Sequence, residues 1–157
     1  MKIIFLDIDG PMIPLRMYYL GARIFDYDKG SFVYDPVAVG MINKLCEENN
    51  AKVVFNSAQG ENPIEVMRHQ GIVNGLKYLH EDCKTDFPKI ENRYAAIIEW
   101  FKKNGDVKNW IVIDDTIVYK PKQIIIDYDI GITMDNFIKA NEMLGNIVRY
   151  PTCISNI

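Results

Sequence analysis

The chain has 157 residues and a formal net charge of −3, with 48% hydrophobic and 25% charged residues. This is the composition of an ordinary globular protein, and the length favours one domain with a real hydrophobic core. The acidic balance excludes a general attraction to nucleic acid or to an anionic membrane, and leaves room only for a local basic patch.

Four short apolar runs predict the strands of a sheet. They are rich in Ile, Val or Phe and read KIIFLD (2–7), AKVVFNS (51–57), NWIVIDD (109–115) and QIII (123–126). Runs of this length without polar alternation fit strands buried on both faces, as in a parallel sheet covered by helices.

Helical patterns separate these runs. They span DPVAVGMINKLCEENN (35–50), NPIEVMRHQG (62–71), NRYAAIIEWFKKNG (92–105) and TMDNFIKANEMLG (133–145). Asp35 followed by Pro36 is a good helix start, and we expect Asn62 to cap the second helix and Gly71 to end it. Strands alternating with helices predict an α/β fold: a Rossmann-like three-layer sandwich with a mainly parallel sheet.

Residues 11–35 fit neither pattern. Within them, ARIFDYDKGSFVYD (22–35) predicts a β-hairpin, because two aromatic and β-branched runs flank the turn sequence DKG. We expect this flap to hang over the carboxyl end of the first strand, where open α/β sheets bind their ligands. Its aromatic residues would pack within the hairpin, or stack on a ring of a ligand.

Paired acids end two of the predicted strands. Asp7 and Asp9 follow the first run, Asp114 and Asp115 close the third, and Asn56-Ser57 closes the second. Parallel strands would bring these ends to one edge, where the carboxylates repel unless a cation lies between them. Mg²⁺ is the preferred cation for such oxygen ligands, and it usually binds a substrate phosphate as well.

Basic residues upstream of the third run complete the parts needed for phosphoryl transfer. Lys84, Lys89 and Arg93 could hold phosphate oxygens together with the Ser57 hydroxyl. A nucleophile, a metal, charge-stabilising donors and an acid/base are what such chemistry requires.

The same segments resemble a known family. IIFLDIDGP, KVVFNS and WIVIDD resemble the first, second and fourth motifs of haloacid dehalogenase (HAD)-like hydrolases. IIIDYDIGITMDNFIKANEML resembles the C-terminal segment of a small capless branch, named for HAD domains of RNA-repair proteins. The resemblance implies a single HAD-like domain over residues 1–157, with residues 11–35 as a short flap and no large cap.

The resemblance also implies a role for each acid. Asp7 would attack phosphorus and form an aspartyl-phosphate, and Asp9 would act as general acid and then as general base. Asp7, the backbone carbonyl of Asp9, and Asp114 would hold Mg²⁺, with Asp115 binding through water or orienting its neighbour. Ser57 would donate a hydrogen bond to the phosphoryl group.

The third motif departs from the family pattern. Alignment on the following helix puts the branch's Lys-Arg pair on Asn92-Arg93, so the lysine is absent there. Lys89 lies at a distance usual for the wider superfamily, and we prefer it to Arg93 as the basic site residue. Gln59-Gly60 also stands where the branch tends to have Trp-Arg.

Purely structural roles compete with these assignments. Asp7 and Asp9 could form a turn, Ser57 could cap the following helix, and Lys89 could be a solvated surface residue. The predicted function is a Mg²⁺-dependent phosphatase acting on a phosphomonoester, with a nucleotide or nucleic acid end as the leading substrate. The alternatives are a non-catalytic module that binds metal, phosphate or a partner, and a phosphotransferase.

Cellular location is predicted from the N-terminal run and from the cysteines. The run IIFL is far too short for a signal peptide or a membrane span. Cys46, Cys83 and Cys153 are widely spaced without a CxxC, as expected of free thiols in a reducing compartment. We therefore expect a cytoplasmic protein that does not associate with a membrane.

Overall fold

A central sheet of five parallel strands organises the computed structural model, which describes residues 1–146. Strands are numbered in chain order, and two short strands outside this sheet take the numbers between one and four. The strands of the central sheet are β1 (Lys2–Leu6), β4 (Ala51–Phe55), β5 (Leu79–Lys84), β6 (Asn109–Asp114) and β7 (Gln123–Ile125). Their spatial order is β5-β4-β1-β6-β7, so the strand that precedes the DIDG sequence is central. Every neighbouring pair is parallel, which confirms the predicted sheet.

Helices cover both faces of this sheet. They are α1 (Leu15–Tyr19), α2 (Pro36–Asn49), α3 (Ile64–Val73), α4 (Arg93–Asn104) and α5 (Met134–Met143), with short 3₁₀ segments at Ala58–Glu61 and Lys120–Lys122. The larger core lies between the sheet and α2, α3 and α5, and a smaller core packs α4 on the opposite face. The predicted three-layer Rossmann-like sandwich is therefore confirmed.

The apolar run of β1 is explained by burial on both faces. Ile4 and Leu6 point into the larger core, whereas Ile3 and Phe5 point into the smaller one. The Phe5 ring meets Trp100 of α4 edge to face, with centroids 5.4 Å apart. A strand this deeply enclosed holds the residues that follow it in a fixed place.

The predicted helix boundaries have mixed outcomes. The Asp35 carboxylate accepts from the Val37 N–H at 2.9 Å and caps α2, as predicted. Gly71 does not end α3, which continues to Val73. A Cβ at position 71 would lie 2.8 Å from Leu79 Cδ1, so this glycine allows α3 to pack closely against β5. Asn62 is likewise not the cap of α3, because Pro63 occupies that position.

One strand and one helix were not predicted. β5 has the sequence LHEDCK, in which Cys83 alone is fully buried, as befits a strand at the sheet edge. The short helix α1 lies near the start of region 11–35, for which neither a helix nor a strand pattern was found. The hairpin itself is confirmed: β2 (Phe25–Asp26) pairs antiparallel with β3 (Ser31–Phe32).

Hydrogen bonds fix the flap region to the rest of the domain. The Asn74 side chain at the end of α3 donates to the Phe32 carbonyl at 2.8 Å and accepts from the Tyr34 N–H at 2.8 Å. On the other side, the Leu15 N–H donates to the Tyr128 carbonyl at 3.0 Å. The flap is therefore held between α3 and the loop that joins β7 to α5.

Predictions about the whole chain have mixed outcomes. Within the described residues, Cys46 and Cys83 are buried free thiols, while Cys153 lies outside them. The single-domain assignment over 1–157 extends beyond the described residues and stays a prediction. None of the helices within 1–146 is both long and apolar enough to cross a membrane.

Candidate active site

Strand register brings Asp7 and Asp114 side by side. The last residue of β1 pairs with the last residue of β4 and with Ile113 of β6. The next residues, Asp7, Asn56 and Asp114, therefore stand in one row at the carboxyl edge of the sheet. Asp7 is 2% exposed and Asp114 is fully buried, so these two charges face each other out of water.

A third carboxylate joins this pair. Asp7, Asp114 and Asp115 each offer an oxygen within 4.8 Å of those of the other two. Gly10 makes room for Asp115, because a Cβ on Gly10 would lie 3.1 Å from the Asp115 Cβ. Gly10 also has a φ of +91°, a conformation that favours glycine. The DIDG sequence thus supplies a carboxylate and the space for another.

Arg93 is the basic residue that contacts these acids. It is the first residue of α4, and its Nη1 lies 2.8 Å from Asp114 Oδ2 and 3.2 Å from Asp7 Oδ1. The same nitrogen donates to the Asn56 carbonyl at 2.7 Å, and the guanidinium lies over the Phe87 ring at 4.6 Å. These contacts fix one positive charge between two buried negative ones.

Lys89, the residue preferred on sequence, lies elsewhere. Its side chain is exposed and lines a surface cavity with Glu61, Lys84 and Asp86. Within residues 1–146 it forms no ion pair with an aspartate of the site. The geometry therefore favours the second choice, Arg93, because α4 begins directly beside the carboxyl ends of β1 and β6.

Ser57 has the capping role considered for it. Its hydroxyl accepts from the Gln59 N–H at 3.3 Å and so caps the 3₁₀ segment Ala58–Glu61, which confirms the structural role. The buried Ser57 side chain also lies near enough to Asp7 to oppose the rise in the pKa of that carboxyl. Its contact with a phosphoryl group stays a prediction, and its position beside Asp7 is compatible with one.

Asp9 is set apart from the three clustered carboxylates. It is half-buried, and its Oδ1 accepts from the Gln59 Nε2 at 3.4 Å. Its carboxyl is thus close to Asp7 along the chain but is held by a different partner. That separation suits an acid/base, which must reach the leaving group and not the metal.

Burial disturbs the ionisation of Asp7, Asp9 and Asp114. Burial first, and then the charge of Asp114, raises the pKa of Asp7 to about 7. Arg93, the Ile8 N–H and Ser57 oppose that rise. Burial likewise raises the pKa of Asp114 and of Asp9. One guanidinium therefore does not fully compensate the buried carboxylates, which is the condition that a bound cation relieves.

Several supporting residues were missed from sequence. Thr116 donates to Asp114 Oδ1 through both its N–H and its hydroxyl, each at 2.8 Å. The Thr85 hydroxyl donates to Asn56 Oδ1 at 2.7 Å, and so orients the residue whose backbone carbonyl accepts from Arg93. The Thr two positions after a strand-end Asp is a local signal for the first contact. Thr85 is close only because β5 pairs with β4.

An exposed aromatic ring lies at the rim. Tyr128 is 43% exposed, and its Cδ2 would lie 3.3 Å from a Cβ on Gly10. Burial, followed by the negative charge of acids that include Asp9 and Asp115, raises the pKa of the Tyr128 hydroxyl. The Tyr128 ring therefore lies beside Gly10, at the edge of the acidic site.

The parallel sheet with acids at its carboxyl edge defines a HAD-like domain. The family described as "HAD domain in Swiss Army Knife RNA repair proteins" matches residues 3–137, and the chain belongs to this family. Comparison with curated proteins and with solved structures gave no significant match. The predicted HAD-like assignment is thereby confirmed, and the fold class with it.

Proposed function

We propose that this protein is a Mg²⁺-dependent phosphatase that hydrolyses a phosphomonoester through an aspartyl-phosphate on Asp7. One observation carries the proposal: the oxygens of Asp7, Asp114 and Asp115 lie within 4.8 Å of one another, with Arg93 against two of these residues. Membership of a HAD family agrees with hydrolase chemistry at this edge of the sheet.

The residues present fit a hard divalent cation. Their donors are carboxylate oxygens, two of the three acids are buried, and the raised pKa values of Asp7 and Asp114 mark uncompensated charge. Asp7, Asp114, Asp115 and the backbone carbonyl of Asp9 would hold Mg²⁺. When bound, the ion would neutralise the charge of the phosphoryl oxygens.

The first step proposed is attack by Asp7. A carboxylate oxygen of Asp7 forms a bond to phosphorus while the bond from phosphorus to the leaving oxygen breaks. The Asp9 carboxyl gives its proton to that oxygen, which leaves as an alcohol. Arg93 and the Ser57 hydroxyl stabilise the charge on the transferring group, since both adjoin Asp7.

The second step restores the enzyme. Asp9, now a carboxylate, takes a proton from water, and the water oxygen bonds to phosphorus. The bond between phosphorus and the Asp7 oxygen breaks, which releases inorganic phosphate and regenerates the Asp7 carboxylate. The same two acids thus complete both halves of the reaction.

A nucleotide or a nucleic acid end is the proposed substrate. Its support is the family description, which refers to RNA repair, and the exposed ring of Tyr128 beside Gly10. An aromatic ring at the mouth of a phosphate site can stack on a base. Because the net charge is −3, we expect contact with a terminus and not with a long stretch of backbone.

A substrate screen tests the proposal. The protein would be incubated with Mg²⁺ and phosphorylated metabolites, nucleotides, and 3′- or 5′-phosphorylated oligonucleotides, with release of phosphate as the readout. Chelation should abolish turnover, Mg²⁺ should restore it, and Ca²⁺ should not, because Ca²⁺ takes more ligands in a looser geometry. Binding of Mg²⁺ without turnover of any ester would instead indicate a non-catalytic module.

A further inference from the structure

A chain of side-chain hydrogen bonds links Asp9 to the base of the flap. The Gln59 Nε2 donates to Asp9 Oδ1 at 3.4 Å. The Gln70 Nε2 donates to the Gln59 Oε1 at 2.8 Å and to the Tyr34 hydroxyl at 2.8 Å. Gln70 and Tyr34 are only 4% and 2% exposed, so the far end of this chain is enclosed by the core.

The chain fixes which end of the Gln59 amide faces Asp9. Gln70 uses both hydrogens of its amide nitrogen, one toward Tyr34 and one toward the Gln59 carbonyl oxygen. The Gln59 amide nitrogen is therefore left to face the Asp9 carboxylate. The backbone N–H of Gln59 is held as well, because it donates to the Ser57 hydroxyl at 3.3 Å.

Asp9 needs such a partner. Within residues 1–146, Gln59 is the one side chain that hydrogen-bonds the Asp9 carboxyl, which lies outside the three-acid cluster. A half-buried aspartate without a partner can adopt several rotamers. A general acid is effective only when its proton is within hydrogen-bond reach of the leaving oxygen.

We infer that Gln59 is a positioning residue that orients the Asp9 carboxyl toward the leaving group. Gln70, which is itself held by the Tyr34 hydroxyl, fixes the orientation of the Gln59 amide. The inference rests on the proposed phosphatase function and adds to it the residues that position the general acid. Loss of Gln59 should weaken proton donation and leave attack by Asp7 intact, because the Asp7 contacts to Arg93 and Ile8 do not involve Gln59.

Two esters with different leaving groups separate these effects. An alkyl phosphate needs a proton on its leaving oxygen, whereas p-nitrophenyl phosphate does not. The quantity to compare is kcat/KM, since it reports only the steps up to release of the leaving group. In Gln59→Leu, kcat/KM should fall by about tenfold or more for the alkyl ester and by less than about twofold for the nitrophenyl ester.

A double-mutant cycle tests the role of Gln70. Gln70→Leu should show the same selective loss, more weakly, because Gln59 then keeps its contact but not its fixed orientation. In the Gln59→Leu background, Gln70→Leu should add nothing, since the two residues act as one unit. Asn62→Ala is the matched control: its side chain donates to the Gln59 backbone carbonyl at 3.0 Å and lies outside the amide chain.

The outcomes separate this inference from the proposed function. An equal loss for both esters in Gln59→Leu, or no loss for either, would overturn the positioning role while leaving the phosphatase proposal intact. If the wild-type protein turned over no ester of the substrate screen, the alkyl and nitrophenyl esters included, the proposed function would fail and the inference with it. Should Gln70→Leu not fold, Gln59→Leu still decides, because Gln59 is only half-buried.

Discussion

Arg93 and Asp114 form an ion pair at the edge of the sheet, with 2.8 Å between Nη1 and Oδ2. The guanidinium is 19% exposed and the carboxylate is fully buried. The same nitrogen is 3.2 Å from Asp7, so one cation bridges the proposed nucleophile and a proposed metal ligand. The guanidinium thus holds two like charges together before a metal ion or a substrate is bound.

Removal of Arg93 should therefore damage catalysis far more than removal of Lys89. Arg93→Ala should lower kcat by about a hundredfold or more, because it removes a donor that stabilises charge in the transition state. Arg93→Lys should recover part of this loss, since lysine keeps the charge but not the planar fork of donors. Lys89→Ala is the control, and steady-state kinetics on one ester would compare all three variants. Equal and small effects would mean that neither residue supplies this charge.

The buried acids predict an unusual dependence of stability on pH. The pKa of Asp7 is raised from 3.8 to about 7 in the folded protein. The native state then binds more protons than the unfolded state between these values, so the free energy of unfolding without metal should fall as pH rises through this window. Mg²⁺ requires deprotonated carboxylates, so the stabilisation that it gives should grow over the same window.

Melting temperatures measured with Mg²⁺ and with chelator, at several pH values, would test this linkage. The difference between the two should be small near about pH 5 and largest above about pH 7. Asp114→Asn is the control, because it removes one ligand charge and should shrink the difference at high pH. A stabilisation by Mg²⁺ that did not change with pH would contradict the assignment of these acids.

Sequence patterns predicted the fold where burial determines the residue types. β1 was recognisable because Ile3, Ile4 and Phe5 have no polar alternation, as burial on both faces demands. β5 was not, because an edge strand with the sequence LHEDCK has no such pattern. Gly71 read as a helix stop because sequence alone does not show that α3 must approach Leu79 closely.

The site was predictable to the extent that it lies at strand ends. Register alone aligns Asp7 with Asp114, so their proximity followed from a parallel sheet. The choice between Lys89 and Arg93 did not follow from the parallel sheet, because it depends on where α4 begins relative to β6. The contact between Gln59 and Asp9 joins residues fifty positions apart and is determined by tertiary packing.

Tyr128 should contribute to recognition of a base. The proposed substrate predicts that a nucleoside 5′-monophosphate has a higher kcat/KM than ribose 5-phosphate, which lacks only the base. Tyr128→Leu should reduce that advantage by about tenfold, in line with stacking of one base on an aromatic side chain. Tyr128→Phe keeps the ring and should keep the advantage. An unchanged ratio in Tyr128→Leu would show that the exposed ring does not contact the substrate.

If the proposed roles are right, substitution of Asp7 and substitution of Asp9 should block different steps of the reaction. Asp7→Asn keeps the shape but removes the attacking charge, so no phosphoenzyme should form. Asp9→Asn should still permit attack on p-nitrophenyl phosphate, whose leaving group needs no proton. Hydrolysis of the aspartyl-phosphate should then be slow, because no general base activates water.

Phosphate should therefore accumulate on Asp7 in Asp9→Asn and be absent in Asp7→Asn. Intact-mass measurement after rapid acid quenching would detect the added phosphoryl group, and the double variant is the control for attachment elsewhere. Asp9 is half-buried and outside the acid cluster, so Asp9→Asn should leave the Mg²⁺-dependent rise in melting temperature largely intact. Normal turnover by Asp7→Asn would refute the nucleophile assignment. Equal loss of folding in both variants would instead show that the DIDG acids serve the structure of the turn.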